Sequence, residues 1–184
     1  MEYINSGYQH IVDIDLKSFF DEVEHYVLLE LIYRKVSGKQ TLKLLRSILR
    51  APILIKGTGQ KRRKGVPQGS PLSPLLSNIL LNELDKLLRS RGLRYVRYAD
   101  DFSVYVKSKQ AAKRVGNNLY LYLKQKLRLP INREKSGIRR PLTCNVLGHS
   151  FVASYKKGAK GKYQLVAEKS KWKAFKAKLK MLTK

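Results

Sequence analysis

Several things are scarce in this sequence, and each scarcity excludes a class of protein. Cysteine is nearly absent: Cys144 stands alone, so there is no disulfide framework and no CxxC-type zinc site. A reducing, cytoplasmic setting is the corresponding expectation. No apolar run is long enough to span a bilayer. The opening residues, Met1-Glu2-Tyr3-Ile4-Asn5, offer neither a basic nor an apolar region and do not read as a signal peptide. The histidines His10, His25 and His149 lack ligand spacing and read as structural. Internal repeats and low-complexity linkers are also missing. The scarcest commodity is negative charge: 13 Asp and Glu stand against 39 Lys and Arg, a net charge of +26.

Such an excess opposes compaction by self-repulsion, so a polyanionic partner is expected. Nucleic acid is the first candidate and an anionic membrane surface the second. The length of 184 residues fits one domain, or one domain plus a fragment of another. An apolar fraction of 43% is sufficient for an ordinary core.

Read in order, residues 9–16 form a strand whose alternation puts Asp13 and Asp15 on one face and Val12, Ile14 and Leu16 on the other. A helix follows, with Val23, Val27, Leu28, Leu31 and Ile32 at helical spacing. Ser37-Gly38 stops it. A second helix is expected over Gln40 to Arg50. Ile53-Leu54-Ile55 and the basic residues 62–66 flank Gly57-Thr58-Gly59 as a hairpin. Ser73-Pro74 reads as an N-cap and N1 proline opening the longest apolar-faced helix of the first half, ended by Gly92. Residues 93–96 and 102–106 read as strands joined by a tight turn. A helix over Ala111 to Leu127, a break at Pro130-Ile131-Asn132, a strand from Val146 to Val152, a Lys/Gly-rich turn at 155–163, a returning strand and an amphipathic helix from Lys169 complete the chain. The order suits an α+β fold: an antiparallel or mixed sheet with helices packed on one face.

The chemistry centres on Tyr98-Ala99-Asp100-Asp101. Taken alone, this is a solvated turn. Yet adjacent carboxylates repel, and one stays protonated unless a cation neutralises the pair. Hard oxygen ligands point to magnesium. Asp15 lies at the end of the first strand. If that strand neighbours the hairpin, the carboxylates converge and can hold two divalent ions roughly 3.5–4 Å apart, the arrangement for in-line phosphoryl transfer.

These residues carry a resemblance. Val12-Asp13-Ile14-Asp15-Leu16-Lys17-Ser18-Phe19-Phe20-Asp21, then Gly65-Val66-Pro67-Gln68-Gly69-Ser70-Pro71-Leu72-Ser73-Pro74, then Tyr98-Ala99-Asp100-Asp101, Asn132-Arg133-Glu134-Lys135-Ser136 and Val146-Leu147-Gly148 occur in the order found in reverse transcriptases. The chain resembles most closely the bacterial group II intron-encoded reverse transcriptase/maturase class. That resemblance implies the palm of a right-hand polymerase over 1–168, with partial fingers, and the start of a thumb helix over 169–184. It implies RNA-directed DNA polymerisation with two magnesium ions (manganese able to substitute), an RNA template, a DNA primer and a dNTP, in an intron-mobility or splicing setting with group II intron RNA.

The resemblance also implies roles. Asp15, Asp100 and Asp101 look like the metal-binding set, Asp101 the least direct, with Leu16 beside them. The backbone of Leu16, Lys17, Ser18 and Phe19 would underlie the incoming triphosphate. Phe20 resembles the gate that clashes with a ribose 2′-OH. Pro67, Gln68 and Gly69 would border the nucleotide, together with Tyr98 and Ala99. Lys135 resembles the lysine assisting pyrophosphate departure, and Leu147 and Gly148 the primer grip. Read without the resemblance, Phe20 is core, Gln68 caps a turn, Lys135 is a solvated charge and Asp13 is solvated or salt-bridged. His149 departs from the family's aromatic after Leu-Gly. The ends of the chain read as those of a fragment, poorly active by itself. Two other readings compete: an RNA-binding maturase-type splicing factor with an idle polymerase, and an RNA-dependent RNA polymerase palm, against which Phe20 speaks.

Overall fold

The computed structural model describes residues 1–55, 58–155 and 162–183. A short helix, α1 (Glu2–Asn5), leads to β1 (His10–Ile14), whose β-branched residues suit an extended, two-sided environment. The chain then turns through α2 (Phe19–Glu22), α3 (His25–Tyr33) and α4 (Lys39–Arg50). A small hairpin, β2 (Ile53–Ile55) with β3 (Thr58–Gln60), precedes the long helix α5 (Ser73–Ser90). β4 (Arg94–Tyr98) and β5 (Asp101–Val106) form the acidic hairpin. α6 (Lys109–Tyr122) is capped at its start by the Ser108 hydroxyl, which accepts from the Ala111 N–H, and it continues through a wider turn over Leu123–Leu127. β6 (Gly137–Arg139), β7 (Asn145–Val146), β8 (His149–Ala153), β9 (Tyr163–Ala167) and α7 (Lys169–Leu182) follow.

The main sheet is antiparallel throughout, in the order β4-β5-β1-β6, so the expected α+β architecture stands. One face carries Val12, Ile14, Phe102, Val104 and Val106 into the main core, where Leu76, Leu80, Leu84 and Leu88 of α5 and Leu119 of α6 meet them. Truncating one of these fully buried leucines to alanine costs about 2–5 kcal/mol. The opposite face is graded along the strands. Ile11 and Tyr105 are buried with Ile4, Cys144 and Phe151 in a second cluster. The next row is Asp13 beside Ser103, and beyond it the sheet ends in carboxylates. Burial raises the Cys144 thiol to about 11, so it is a packing residue.

Several local expectations are corrected. The partner of residues 53–55 is Thr58–Gln60, not the basic segment 62–66. That segment instead donates the Gly65 N–H to Val23 O at 2.7 Å and the Val66 N–H to Phe20 O at 2.7 Å, which ties it to the edge of α2. Ser73 is the first residue of α5 rather than its cap: its buried hydroxyl donates to the Pro67 carbonyl, an acceptor set in the preceding loop. The strand expected over residues 146–152 breaks at Leu147-Gly148, where both residues have positive φ (50° and 75°) and turn β7 back onto β8. Gly57 of the expected turn and most of the Lys/Gly-rich turn, residues 156–161, lie outside the described residues. α7 buries none of its side chains, and Trp172, Phe175, Leu179 and Leu182 are exposed. Among the described residues, no helix is long and apolar enough to cross a membrane.

Candidate active site

The register of the main sheet places the acidic residues. Ile14 pairs with Phe102 and Tyr98 with Asp101, so one step beyond the last β1–β5 pair Asp15 faces Asp101. The condition set on the sequence, that the first strand neighbours the hairpin, is met by the pairing of β1 with β5. Both carboxylates line a cleft of about 340 Å³, together with Asp13, Tyr98, Lys135, Arg139 and Leu147. Asp100 forms the two-residue turn with Ala99 and does not line this cleft. No three His, Cys, Asp or Glu side chains among the described residues close into a metal-holding cluster. The three expected ligands therefore share one sheet end without converging on one point.

The electrostatics are those of an under-neutralised acidic site. The Asp101 carboxyl is raised above the usual carboxylate range, first by burial, then by Asp100, Asp15 and Asp13, and only Lys135 works against the rise. Asp13 is spoken for: Ser103 Oγ donates to it at 3.0 Å and Arg139 Nε at 3.1 Å. The salt-bridged reading of Asp13 is the correct one. Among the described residues, Asp15 and Asp101 have no such ion-pair partner. The donor set thus fits a divalent cation in its chemistry, hard carboxylate oxygens in a site with surplus negative charge.

Two supports hold these carboxylates, and the sequence pattern did not single out either. The first is a clamp on the backbone of Asp15. Its N–H donates to Ser136 Oγ at 3.0 Å and its carbonyl accepts from the Asn132 N–H at 2.9 Å. Leu16 bridges to Ile131, and the Lys17 N–H donates to Pro130 O at 3.0 Å. The same loop delivers Lys135 to the cleft, and Arg139 braces it by donating to the Lys135 carbonyl at 2.6 Å. The second is Arg97. Its guanidinium meets Asp85 of α5 at 2.6 Å, Asn78 at 3.1 Å and the Ala99 carbonyl at 2.9 Å. The nearly complete burial of Arg97 and Asp85 fixes the hairpin tip to the core helix. The signal was there in part: Asn132 and Ser136 belong to a motif read only for its lysine.

The remaining expected site residues divide into groups. Leu16 is buried in the main core, so only its backbone is available to a ligand. Lys17 and Ser18 are exposed, and Phe19 is core. Phe20 is half-buried, edge-on to Phe19 with ring centroids 5.3 Å apart. Pro67 is half-buried, while Gln68 and Gly69 are exposed; this loop is joined to α2 through Val66 and Phe20. None of Phe20, Pro67, Gln68 and Gly69 lines the acidic cleft. Leu147 does, but Gly148 does not. Three of the four described non-glycine residues with positive φ lie in these segments, Ser18 (46°), Ala99 (53°) and Leu147 (50°); the fourth, Arg128 (57°), ends the turn after α6. Such strain persists where the surrounding structure enforces it, and it gathers at functional sites. His25 is structural as expected, buried with Nε2 2.7 Å from Gly65 O.

Comparison with known proteins agrees with this geometry. Protein YkfC of Escherichia coli (strain K12) is 30% identical over 162 residues, covering 70% of this chain and 42% of YkfC. Group II intron-encoded protein LtrA of Lactococcus lactis subsp. cremoris is 26% identical, covering 71% of this chain and 32% of LtrA. This chain therefore spans well under half of either relative. Apo telomerase from Candida Tropicalis superposes with a TM-score of 0.66 at 16% identity, over 88% of this chain and 33% of that one, a likeness of fold. The family described as reverse transcriptase (RNA-dependent DNA polymerase) matches residues 2–151, and the chain belongs to that family.

Proposed function

We propose that this chain carries the nucleotidyl-transfer site of an RNA-directed DNA polymerase of the group II intron type. The observation that carries the reading is Asp15 facing Asp101 across β1 and β5, with Asp100 adjacent and Lys135 in the same cleft. Asp15, Asp101 and Asp100 would hold divalent cations, magnesium by the hardness of their oxygens. Bound there, such ions supply Lewis-acid activation of a primer hydroxyl and neutralise phosphate charge. The chain's own residues do the rest. Lys135 sets a positive charge beside the departing pyrophosphate. The exposed Lys17-Ser18 backbone lies under the triphosphate. Phe20, half-exposed beside the 67–69 loop, excludes a ribose 2′-OH and selects dNTPs. The Leu147-Gly148 turn meets the primer from the far side of the cleft. The template is RNA, held by the excess positive charge.

The test is primer extension on an RNA template by the protein. Asp100→Asn and Asp15→Asn abolish extension while RNA binding persists. Wild-type extension by either variant refutes the assignment.

A second reading, an RNA-binding splicing factor, draws on the net charge of +26 and the similarity to LtrA. Cognate intron RNA binding more tightly than a length-matched RNA at fixed salt supports it, and equal affinity removes it.

A further inference from the structure

A second basic surface lies apart from the acidic cleft and shares no residue with it. Between α3, α4 and residues 62–63 runs a groove of about 770 Å³. Its floor is apolar and rigid: Leu29 and Leu49 are buried, and the His25–Gly65 hydrogen bond pins the arginine-bearing segment to α3.

Its walls carry two kinds of group. Tyr26 and Tyr33 are seven residues apart on α3 and stand 56% and 47% exposed. On a helix that spacing puts them on nearly the same face, about 10.5 Å apart. Arg46 and Arg50, one turn apart on α4, face them, with Arg62 and Arg63 across the groove. Arg46 donates to the Tyr33 hydroxyl at 2.8 Å, which fixes one guanidinium beside one ring. Arg62 is the anomaly: its Nη1 is buried and finds no hydrogen-bond partner among the described residues. A buried guanidinium N–H without an acceptor is costly and calls for an anionic oxygen. The groove's own carboxylates are Glu24 and Glu30, and Glu30 is paired with Arg34 at 2.7 Å.

Core packing does not need half-exposed tyrosines, and solubility does not need a guanidinium N–H buried without an acceptor. Aromatic faces interleaved with guanidinium groups are what a single-stranded polynucleotide requires, since its unstacked bases offer π-faces and its backbone offers phosphates. A duplex hides its bases, and an acidic peptide offers nothing to stack.

We propose that this groove binds single-stranded nucleic acid, with bases stacked on Tyr26 and Tyr33 and phosphates on Arg46, Arg50, Arg62 and Arg63. The helical rise of about 10.5 Å between the two tyrosine positions corresponds to about three nucleotide steps of roughly 3.4 Å. The site stands independently of the polymerase reading, since it needs no metal, primer or nucleotide triphosphate.

The test uses the 184-residue chain, without divalent metal, and 5-iodouridine oligomers of about 10 nucleotides, inside the usual single-strand site sizes. RNA and DNA oligomers form separate arms, and a duplex and polyglutamate serve as competitors. Photo-cross-links are expected at Tyr26 or Tyr33, in the unaltered chain and equally in Asp101→Asn. The double variant Tyr26→Leu with Tyr33→Leu loses roughly tenfold or more in affinity at raised salt, whereas the Phe/Phe pair retains it. Cross-links confined to other residues, or competition by duplex or polyglutamate equal to that by single strand, overturn the proposal. So does unchanged affinity in the Leu/Leu variant. If that variant does not fold, the cross-link map of the unaltered chain decides. Failure here leaves primer extension untouched, and the reverse also holds.

Discussion

Arg97 holds Asp85 at 2.6 Å in an ion pair that both side chains keep almost wholly out of solvent, and the same guanidinium reaches the Ala99 carbonyl at the tip of the acidic hairpin. A single side chain therefore couples the core helix α5 to the turn that presents Asp100 and Asp101. Removing one partner of a buried pair strands the other charge, which costs about 3–5 kcal/mol. Asp85→Ala and Arg97→Ala are expected to fall in that range by urea denaturation. Arg97→Lys retains the charge but not the fork that serves two acceptors. It is expected to retain part of the stability while lowering kcat for primer extension more than it changes KM for the nucleotide.

The raised carboxyl of Asp101 makes a prediction with a definite sign. Its pKa is higher in the folded chain than in the unfolded one. Its contribution to stability is therefore present below the ordinary carboxylate range and is lost as pH rises through the raised value. Without divalent metal, Asp101→Asn is expected to raise Tm at neutral pH, because a carboxylate opposed by Asp100, Asp15 and Asp13 has been removed. Magnesium is expected to raise the Tm of the unaltered chain and not that of the variant. Scanning calorimetry with and without magnesium checks both. A variant that loses stability in metal-free buffer contradicts the account.

The sequence made the placement of Asp15 and Asp101 at one sheet end legible because period-two alternation and a two-residue turn are local signals. Neighbouring strands were the one further requirement. The long helix was equally readable from Leu76, Leu80, Leu84 and Leu88. What escaped depends on contacts distant in sequence. β6 is three residues of ordinary composition, and its strand character comes from pairing with Ile11, Val12 and Asp13. Residues 62–66 suggest a strand only by their place after Gly57-Thr58-Gly59, and their backbone hydrogen bonds go to Phe20 and Val23 at α2. Ser73 carries a cap signature, yet it is the first residue of α5 and its hydroxyl donates to the Pro67 carbonyl. Leu147 sits at positive φ, which no propensity assigns to a leucine. The division of labour at the cleft, with Asp13 neutralised by Arg139 and Asp15 left free, turns on an ion pair 126 residues apart.

The clamp on Asp15 gives a third prediction. Ser136 Oγ accepts the Asp15 N–H at 3.0 Å where the strand ladder has just ended. Ser136→Ala leaves that donor without its partner, at a cost of about 1 kcal/mol. A modest fall in Tm is expected. The sharper effect is a loss of extension rate at unchanged RNA affinity, since the carboxylate loses alignment while the basic surface is intact. Ser136→Thr retains the hydroxyl and is expected to restore most of the rate.

Gly65 gives the most severe substitution. Its φ of +87° is a left-handed conformation, and an added Cβ would lie 2.9 Å from Asp21 O and 3.0 Å from both Asp21 Cα and Phe20 O. All three obstacles are backbone atoms, so no rotamer change relieves them. Gly65→Ala therefore combines conformational strain with a clash and is expected to cost about 2 kcal/mol or more. The backbone must move at Phe20 and Asp21, because the Gly65 and Val66 N–H groups are bonded to Val23 and Phe20 at 2.7 Å. Phe20 is the proposed sugar gate, so the displacement has a chemical readout beyond stability. The ratio of dNTP to rNTP incorporation is expected to fall in Gly65→Ala, while Gly59→Ala in β3, where a Cβ would meet nothing within 4 Å, leaves it unchanged. A Gly65→Ala protein with unaltered Tm and unaltered sugar discrimination would show that the 65–66 segment does not set the gate.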